Sequence, residues 1–224
     1  MVEIQGICKS YGSQEILKDI NLEAGPGECV GIVGKNGCGK TTLLSILAGA
    51  RKADRGSIRY NGKEAVGHPG VFAEEAAYVP QENPLMEELT VRDNLLLWYK
   101  GKRQELRADL EKKSSFFLGM ESMLDRRVSH LSGGMKKRLS IACALSGHAP
   151  VLIMDEPGAA LDLECKEMIR GYLRQYMEEG GTLILTSHEM EELSLCTQMY
   201  VLSQGKIRQI ECGLSAGALI EQFR

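Results

Sequence analysis

Gly34-Lys35-Asn36-Gly37-Cys38-Gly39-Lys40-Thr41 is the stretch on which the reading of this chain turns. It fits the pattern G-x-x-x-x-G-K-[ST], and its setting gives it weight. Cys29 to Val33 before it is a short apolar run of strand character, and Lys40 to Ala48 behind it has helical spacing. Glycines at these spacings let the backbone curl until successive N–H groups point inward at phosphate oxygens. The helix opening near Lys40 adds the positive end of its dipole. Lys40 can then reach the β- and γ-phosphates, and the Thr41 hydroxyl, with Thr42 beside it, can ligate Mg²⁺. The expectation is a nucleoside triphosphate site.

A second run supports it. Val151-Leu152-Ile153-Met154 reads as a buried strand ending in Asp155-Glu156, and the carboxyl end of such a strand lies near the phosphate crevice. Asp155 is placed to hold magnesium through water. Glu156 is placed to face the γ-phosphate and polarise an attacking water as general base.

Further out, Ala77 to Val79, Thr182 to Leu185 and Met199 to Leu202 read as more strands, and Asp162 to Glu178 as a helix. Gly205 marks a hairpin between Tyr200 to Ser203 and Lys206 to Ile210. Strands alternating with helices predict an α/β fold with a largely parallel sheet. Two stretches interrupt the alternation. Glu3 to Leu22, with Ser57 to Tyr60, suggests short antiparallel strands, and Leu85 to Leu131 reads as largely helical and rich in charge. A single domain is expected over 1–224, with a core from 1–84 and 147–224 and a helical subdomain at 85–146.

Bulk properties narrow the class. The chain has 224 residues, 43% hydrophobic and 25% charged, which suits a globular protein. A net charge of −3 offers no bulk attraction to nucleic acid or anionic lipid, so no nucleic-acid partner is expected. No apolar run approaches the roughly 18 residues of a membrane span, and the start, MVEIQGICKSYG, lacks the apolar core of a secretion signal. A cytoplasmic location follows as an expectation. The seven cysteines form no C-x-x-C pair and fit neither a disulfide framework nor a zinc site. A GTPase would carry a guanine-reading N-K-x-D, which is absent.

Leu131-Ser132-Gly133-Gly134-Met135, followed by Lys136-Lys137-Arg138, resembles the signature sequence of ABC ATPases, usually LSGGQ. A Gly-Gly pair at a helix start, preceded by serine, makes a second anion-binding nest. Other family elements follow in order. Tyr11 matches the aromatic that stacks on adenine, and Gln81 the glutamine that reaches magnesium and the attacking water. Ala160-Leu161-Asp162 resembles the loop contacting a partner subunit, and His188 matches the histidine at the γ-phosphate. There are two departures. Met135 stands for the usual glutamine, and Gly158 stands where threonine or serine is more common.

The resemblance implies a phosphate-loop, RecA-like, mostly parallel sheet with an N-terminal antiparallel β subdomain and an inserted α-helical subdomain. It implies ATP and Mg²⁺ as cofactors. The implied catalytic residues are Glu156, His188, Gln81 and Lys40, and the implied metal ligands are Thr41, Gln81 and Asp155. Nucleotide contacts would come from Tyr11, from Gly34, Lys35, Asn36, Gly37, Cys38, Gly39, Lys40, Thr41 and Thr42, and from Ser132, Gly133 and Gly134 of a second subunit. A homodimer is expected to drive transport through separate membrane permease subunits, the helical insertion docking on them at the cytoplasmic face. The run Leu89-Thr90-Val91-Arg92-Asp93-Asn94-Leu95 and the short C-terminus look most like exporters of the ABC-2 or multidrug type. The alternative is a soluble ABC ATPase without a transporter.

Overall fold

The runs CVGIV, VLIMD and TLILT are buried at every position and form β3 (Cys29–Val33), β7 (Val151–Asp155) and β8 (Thr182–Thr186). In a computed structural model describing residues 1–99, 101–106, 120–147, 149–159 and 161–223, these strands make the middle of a six-stranded sheet. Its order is β10-β9-β3-β8-β7-β6, where β6 is Ala76–Val79, β9 is Gln198–Ser203 and β10 is Lys206–Ile210. All neighbours are parallel except the β9–β10 hairpin. Parallel strands are covered on both faces, which is why these runs are continuously apolar rather than alternating.

The period of two still sorts the side chains. Cys29, Val33, Leu152, Met154, Leu183 and Leu185 face one hydrophobic cluster, and Val30, Ile32, Val151, Ile153 and Ile184 face the other. Helix α1 (Lys40–Leu47) packs in the second cluster through Leu43, Leu44, Ile46 and Leu47. The predicted helix after Asp162 is α5 (Leu163–Glu178), capped by the Asp162 carboxylate, which accepts from Cys165 N at 2.8 Å. The β9–β10 turn at Gln204 and Gly205 has φ of 50° and 81°, the double left-handed geometry of a two-residue hairpin.

The expected antiparallel subdomain is a four-stranded sheet of order β2-β1-β4-β5. It comprises β1 (Val2–Tyr11), β2 (Gln14–Ala24), β4 (Arg55–Tyr60) and the two-residue β5 (Lys63–Glu64). Neither β5 nor α2 (Pro69–Glu75) was expected from the sequence.

The stretch read as largely helical is described only in part. Its described residues include the α-helix α3 (Val91–Trp98) and two 3-10 turns at Met120–Met123 and Val128–His130. Around these elements the chain is also tied by backbone bonds such as Val128 N to Leu89 O at 3.0 Å. Lys100, Lys112 and Lys113 lie outside the described residues, as does Ala160. Helix α4 (Gly133–Leu145) follows. A third cluster, with Val91, Leu95, Leu124, Val128, Leu131 and Leu139, gives this part of the chain its own apolar centre.

Candidate active site

Four parallel strands deliver the site from their carboxyl ends, where ligand crevices of such sheets lie. The phosphate loop follows β3, Pro80 and Gln81 follow β6, Asp155 ends β7, and Ser187 and His188 follow β8. Tyr11 arrives from the end of β1 in the other sheet. Tyr11, Asn36, Gly37, Gly39, Lys40, Thr41, Thr42, Gln81, Glu156 and His188 line one pocket of about 430 Å³. Gly34, Lys35, Cys38 and Asp155 are not part of that lining.

The loop geometry excludes side chains at two glycines. A Cβ on Gly34 would stand 2.4 Å from Leu202 O, and one on Gly39, with φ of 111°, would stand 2.8 Å from Ile16 Cγ2. The backbone therefore lies tight on its neighbours, with no side chain between it and an incoming phosphate. Lys40, only 6% exposed, lies at the loop's centre, its Nζ donating to Gly34 O at 2.9 Å and Lys35 O at 3.3 Å. Cys38 turns inward and packs on the second hydrophobic cluster, so what it offers a ligand is its backbone.

The acidic pair divides its work by geometry. Asp155 is 1% exposed; its Oδ1 accepts from Thr186 Oγ1 at 2.5 Å, while its Oδ2 is buried with no hydrogen-bond partner among the described residues. An orphaned buried carboxylate oxygen is costly, and it fits a water held by a divalent cation. Glu156 sits at φ 49°, a left-handed conformation unusual for a side chain of this kind. Its N–H donates to Thr186 O at 3.0 Å. Gln81 Nε2 donates to its Oε2 at 3.1 Å, and His188 Nε2 lies 3.4 Å from its Oε1. One carboxylate thus accepts from Gln81 on one side and has His188 beside its other oxygen.

Ser132, Gly133 and Gly134 lie elsewhere. Ser132 caps α4, its Oγ accepting from Met135 N at 3.3 Å, so the predicted helix-start nest has formed. Ser132 and Gly134 line a separate hollow of about 90 Å³ with Arg138, Asp162, Cys165 and Met168, and this hollow shares no residue with the pocket around Glu156.

Sequence reasoning missed three residues that hold the site. Thr186 fixes Asp155. Arg51 donates from Nη1 to the Tyr11 hydroxyl, and its guanidinium lies 5.4 Å from the ring centroid. Lys137, 3% exposed, donates from Nζ to Pro80 O at 2.9 Å and Gln81 O at 3.4 Å. Burial pushes the Lys137 ammonium down to about 8, against the opposing pull of Asp155, Glu192 and Glu156. A signal for Lys137 did exist, since it shares a helical stripe with Ile141, in the first cluster, and Ala144, packed against it.

A parallel sheet whose strand ends carry a phosphate loop, a buried aspartate and a glutamate held by glutamine and histidine defines a phosphate-loop nucleoside triphosphatase. The family model described as ABC transporter matches residues 17–159. The chain is 38% identical over 208 residues to Nod factor export ATP-binding protein I of Paraburkholderia xenovorans (strain LB400), covering 92% of this chain and 68% of that protein. To the protein of the same name from Rhizobium sp. (strain N33) it is 36% identical over 224 residues, covering 99% and 73%. Among solved structures, an ATP-binding subunit of an ABC transporter superposes with a TM-score of 0.87 at 26% identity, covering 100% of this chain and 99% of that one. A dimeric ATP-binding cassette in a post-hydrolysis state, bound to ADP and Pi, superposes with a TM-score of 0.82 at 27% identity, covering 94% and 98%. This chain belongs to the ABC transporter family, as an ATP-binding and ATP-hydrolysing subunit. Among the described residues no helix is long and apolar enough to cross a membrane.

Proposed function

We propose that two copies of this chain close head to tail over two ATP molecules, and that the cycle drives export through separate membrane-spanning subunits. The observation that carries this reading is the separation of the two anion nests. The phosphate loop and the Ser132-Gly133-Gly134 nest occupy different hollows of one chain, so a nucleotide touching both must bridge two chains. A γ-phosphate is a multivalent anion, and two facing sets of N–H donors reach it together only in a closed pair. ATP therefore favours closure, and hydrolysis with loss of phosphate removes the link.

Within each site Tyr11 stacks on adenine, and the loop backbone from Gly34 to Gly39 with Lys40 holds the phosphates. Thr41, Gln81 and Asp155 are the side chains that would hold Mg²⁺, which neutralises phosphate charge when bound. Glu156 takes the proton of the attacking water, and Gln81 and His188 hold its carboxylate and the γ-phosphate in register.

Export is supported by the names of the relatives, Nod factor export ATP-binding proteins. Docking on membrane subunits is supported by an apolar groove of about 660 Å³, walled by Phe72, Pro84, Leu85, Trp98 and Cys143 and reaching Pro80. Leu97 and Trp98 at its rim are more than half exposed, an apolar edge of the kind that interfaces cover. Pro80 joins this groove to Gln81, so displacement in the groove moves the nucleotide pocket.

The test is E156Q, which keeps shape and removes the base. Purified alone and run through gel filtration with ATP, it is expected as a stable dimer without turnover. A monomer that still hydrolyses ATP at the wild-type rate would overturn both the pairing and the role of Glu156.

A further inference from the structure

The helix that carries one anion nest also grips the loop that serves the other. Ser132 opens α4, and Lys137, on the same helix, reaches 2.9 Å to the carbonyl of Pro80 and 3.4 Å to that of Gln81. The amine is buried, and Pro80 and Gln81, just past the end of β6, belong to no helix or strand. Two carbonyl acceptors on consecutive residues fix both position and tilt of a peptide plane, because a single ammonium satisfies both only in a narrow range of orientations. The side chain leaving that plane is Gln81, whose amide donates to Glu156.

The geometry points to Lys137 as the positioning residue of Gln81, transmitting the placement of α4 to the glutamine of the same chain's ATP site. The inference rests on the reading of Gln81 as a participant in hydrolysis, and goes beyond it. The nest of α4 faces the partner's nucleotide, whereas Lys137 touches the loop of its own. A shift of α4 on engaging the partner's γ-phosphate therefore displaces Gln81 at the other site, coupling the two hydrolysis events through one side chain. Lys137 does not line the nucleotide pocket; it reaches Gln81 through the Pro80 and Gln81 carbonyls, and a double-mutant cycle separates this from its charge interaction with Asp155 and Glu156. Arginine neighbours cannot substitute for it: Arg138 lines the opposite hollow, beside Asp162 and Met168.

The experiment is a double-mutant cycle on the full chain with K137M, which keeps an unbranched apolar stem, one atom shorter, but removes the donors. ATP binding, read with a fluorescent ATP analogue, and KM are expected to stay within about twofold of wild type, because no nucleotide contact is lost. The kcat is expected to fall about 10- to 100-fold, the penalty of a misplaced catalytic group. In a Q81A background, already slow, K137M is expected to lower kcat no further, since nothing remains to misplace. A K137M effect that multiplies with that of Q81A, or one that appears in KM instead of kcat, overturns the inference. Undiminished turnover by Q81A overturns the reading of Gln81 itself, and the inference with it. Should K137M fail to fold, K137Q enters the same cycle. Its shorter amide spans the two carbonyls poorly, and its smaller loss of kcat must likewise vanish in Q81A.

Discussion

Glu192 fills the space that any side chain at position 158 would need. A Cβ on Gly158 would stand 2.3 Å from Glu192 Oε1 and 3.2 Å from Glu189 Oε2. Glu192 cannot easily withdraw, being 2% exposed and bonded through Oε2 to the Ser187 hydroxyl. The glycine that departs from the usual threonine or serine is thus matched to a buried carboxylate beside the loop of His188. G158A is expected to destabilise the chain by about 1–3 kcal/mol through overpacking. Most of that loss should disappear in an E192A background, giving a coupling of about 1 kcal/mol or more in urea unfolding. Additive losses would show that the two residues do not compete for space.

The same carboxyl predicts a pH dependence. Burial raises the Glu192 carboxyl above its ordinary value of 4.5, with Glu189 adding to the effect and Ser187, Lys166 and Arg170 opposing it. The folded chain therefore holds a proton that the unfolded chain releases near 4.5. That contribution to stability is present at low pH and is lost as pH rises through the folded value. E192Q cannot ionise but still accepts from Ser187. Its stability relative to wild type is expected to grow between pH 4.5 and 8, measured as urea midpoints at constant ionic strength. A constant difference across that range would mean that Glu192 ionises as it does in the unfolded chain.

The convergence of several candidate site residues was legible in the sequence because they follow buried strands. Gly34, Gln81, Asp155 and His188 all come directly after apolar runs that can only be strands of a covered sheet, so their convergence at one edge follows from the fold. What remained hidden depended on packing across the chain. Nothing near Thr186 announces that its hydroxyl faces Asp155; the two are brought opposite by strand register. Lys137 was hidden among cations, and only its place in an apolar helical stripe distinguishes it from solvated neighbours. In the described part of the segment after Leu85, charge and apolar spacing signal the helix α3 but not the 3-10 turns and loop bonds that follow it.

Glu156 offers a prediction about stability that is separate from catalysis. Its φ of 49° places a side-chain-bearing residue in the left-handed region, which only glycine enters without strain. E156A and E156G both lose the carboxylate and should both be inactive. The glycine variant is expected to be the more stable of the two by a few tenths to about 1 kcal/mol, since its backbone prefers that geometry although its unfolded chain is freer. Thermal melting of the two proteins decides it. An E156G that melts below E156A would indicate that the turn relaxes once the carboxylate is gone.

Tyr11 separates two ways of recognising a nucleotide. Its ring is 42% exposed and is flanked by Lys9 at 5.7 Å and Arg51 at 5.4 Å from the centroid, with Arg51 also donating to its hydroxyl. If the ring stacks on the base, only the flat face matters. Y11W and Y11F should then bind a fluorescent ATP analogue within about threefold of wild type, while Y11A should weaken it by about 5- to 150-fold, the range of 1–3 kcal/mol for one base–aromatic stack. GTP should suffer alike, because every base has such a face. Binding by Y11F as weak as by Y11A would give a different answer. It would assign the affinity to the hydroxyl that orders Arg51, making the guanidinium, and not the ring, the group that meets the nucleotide.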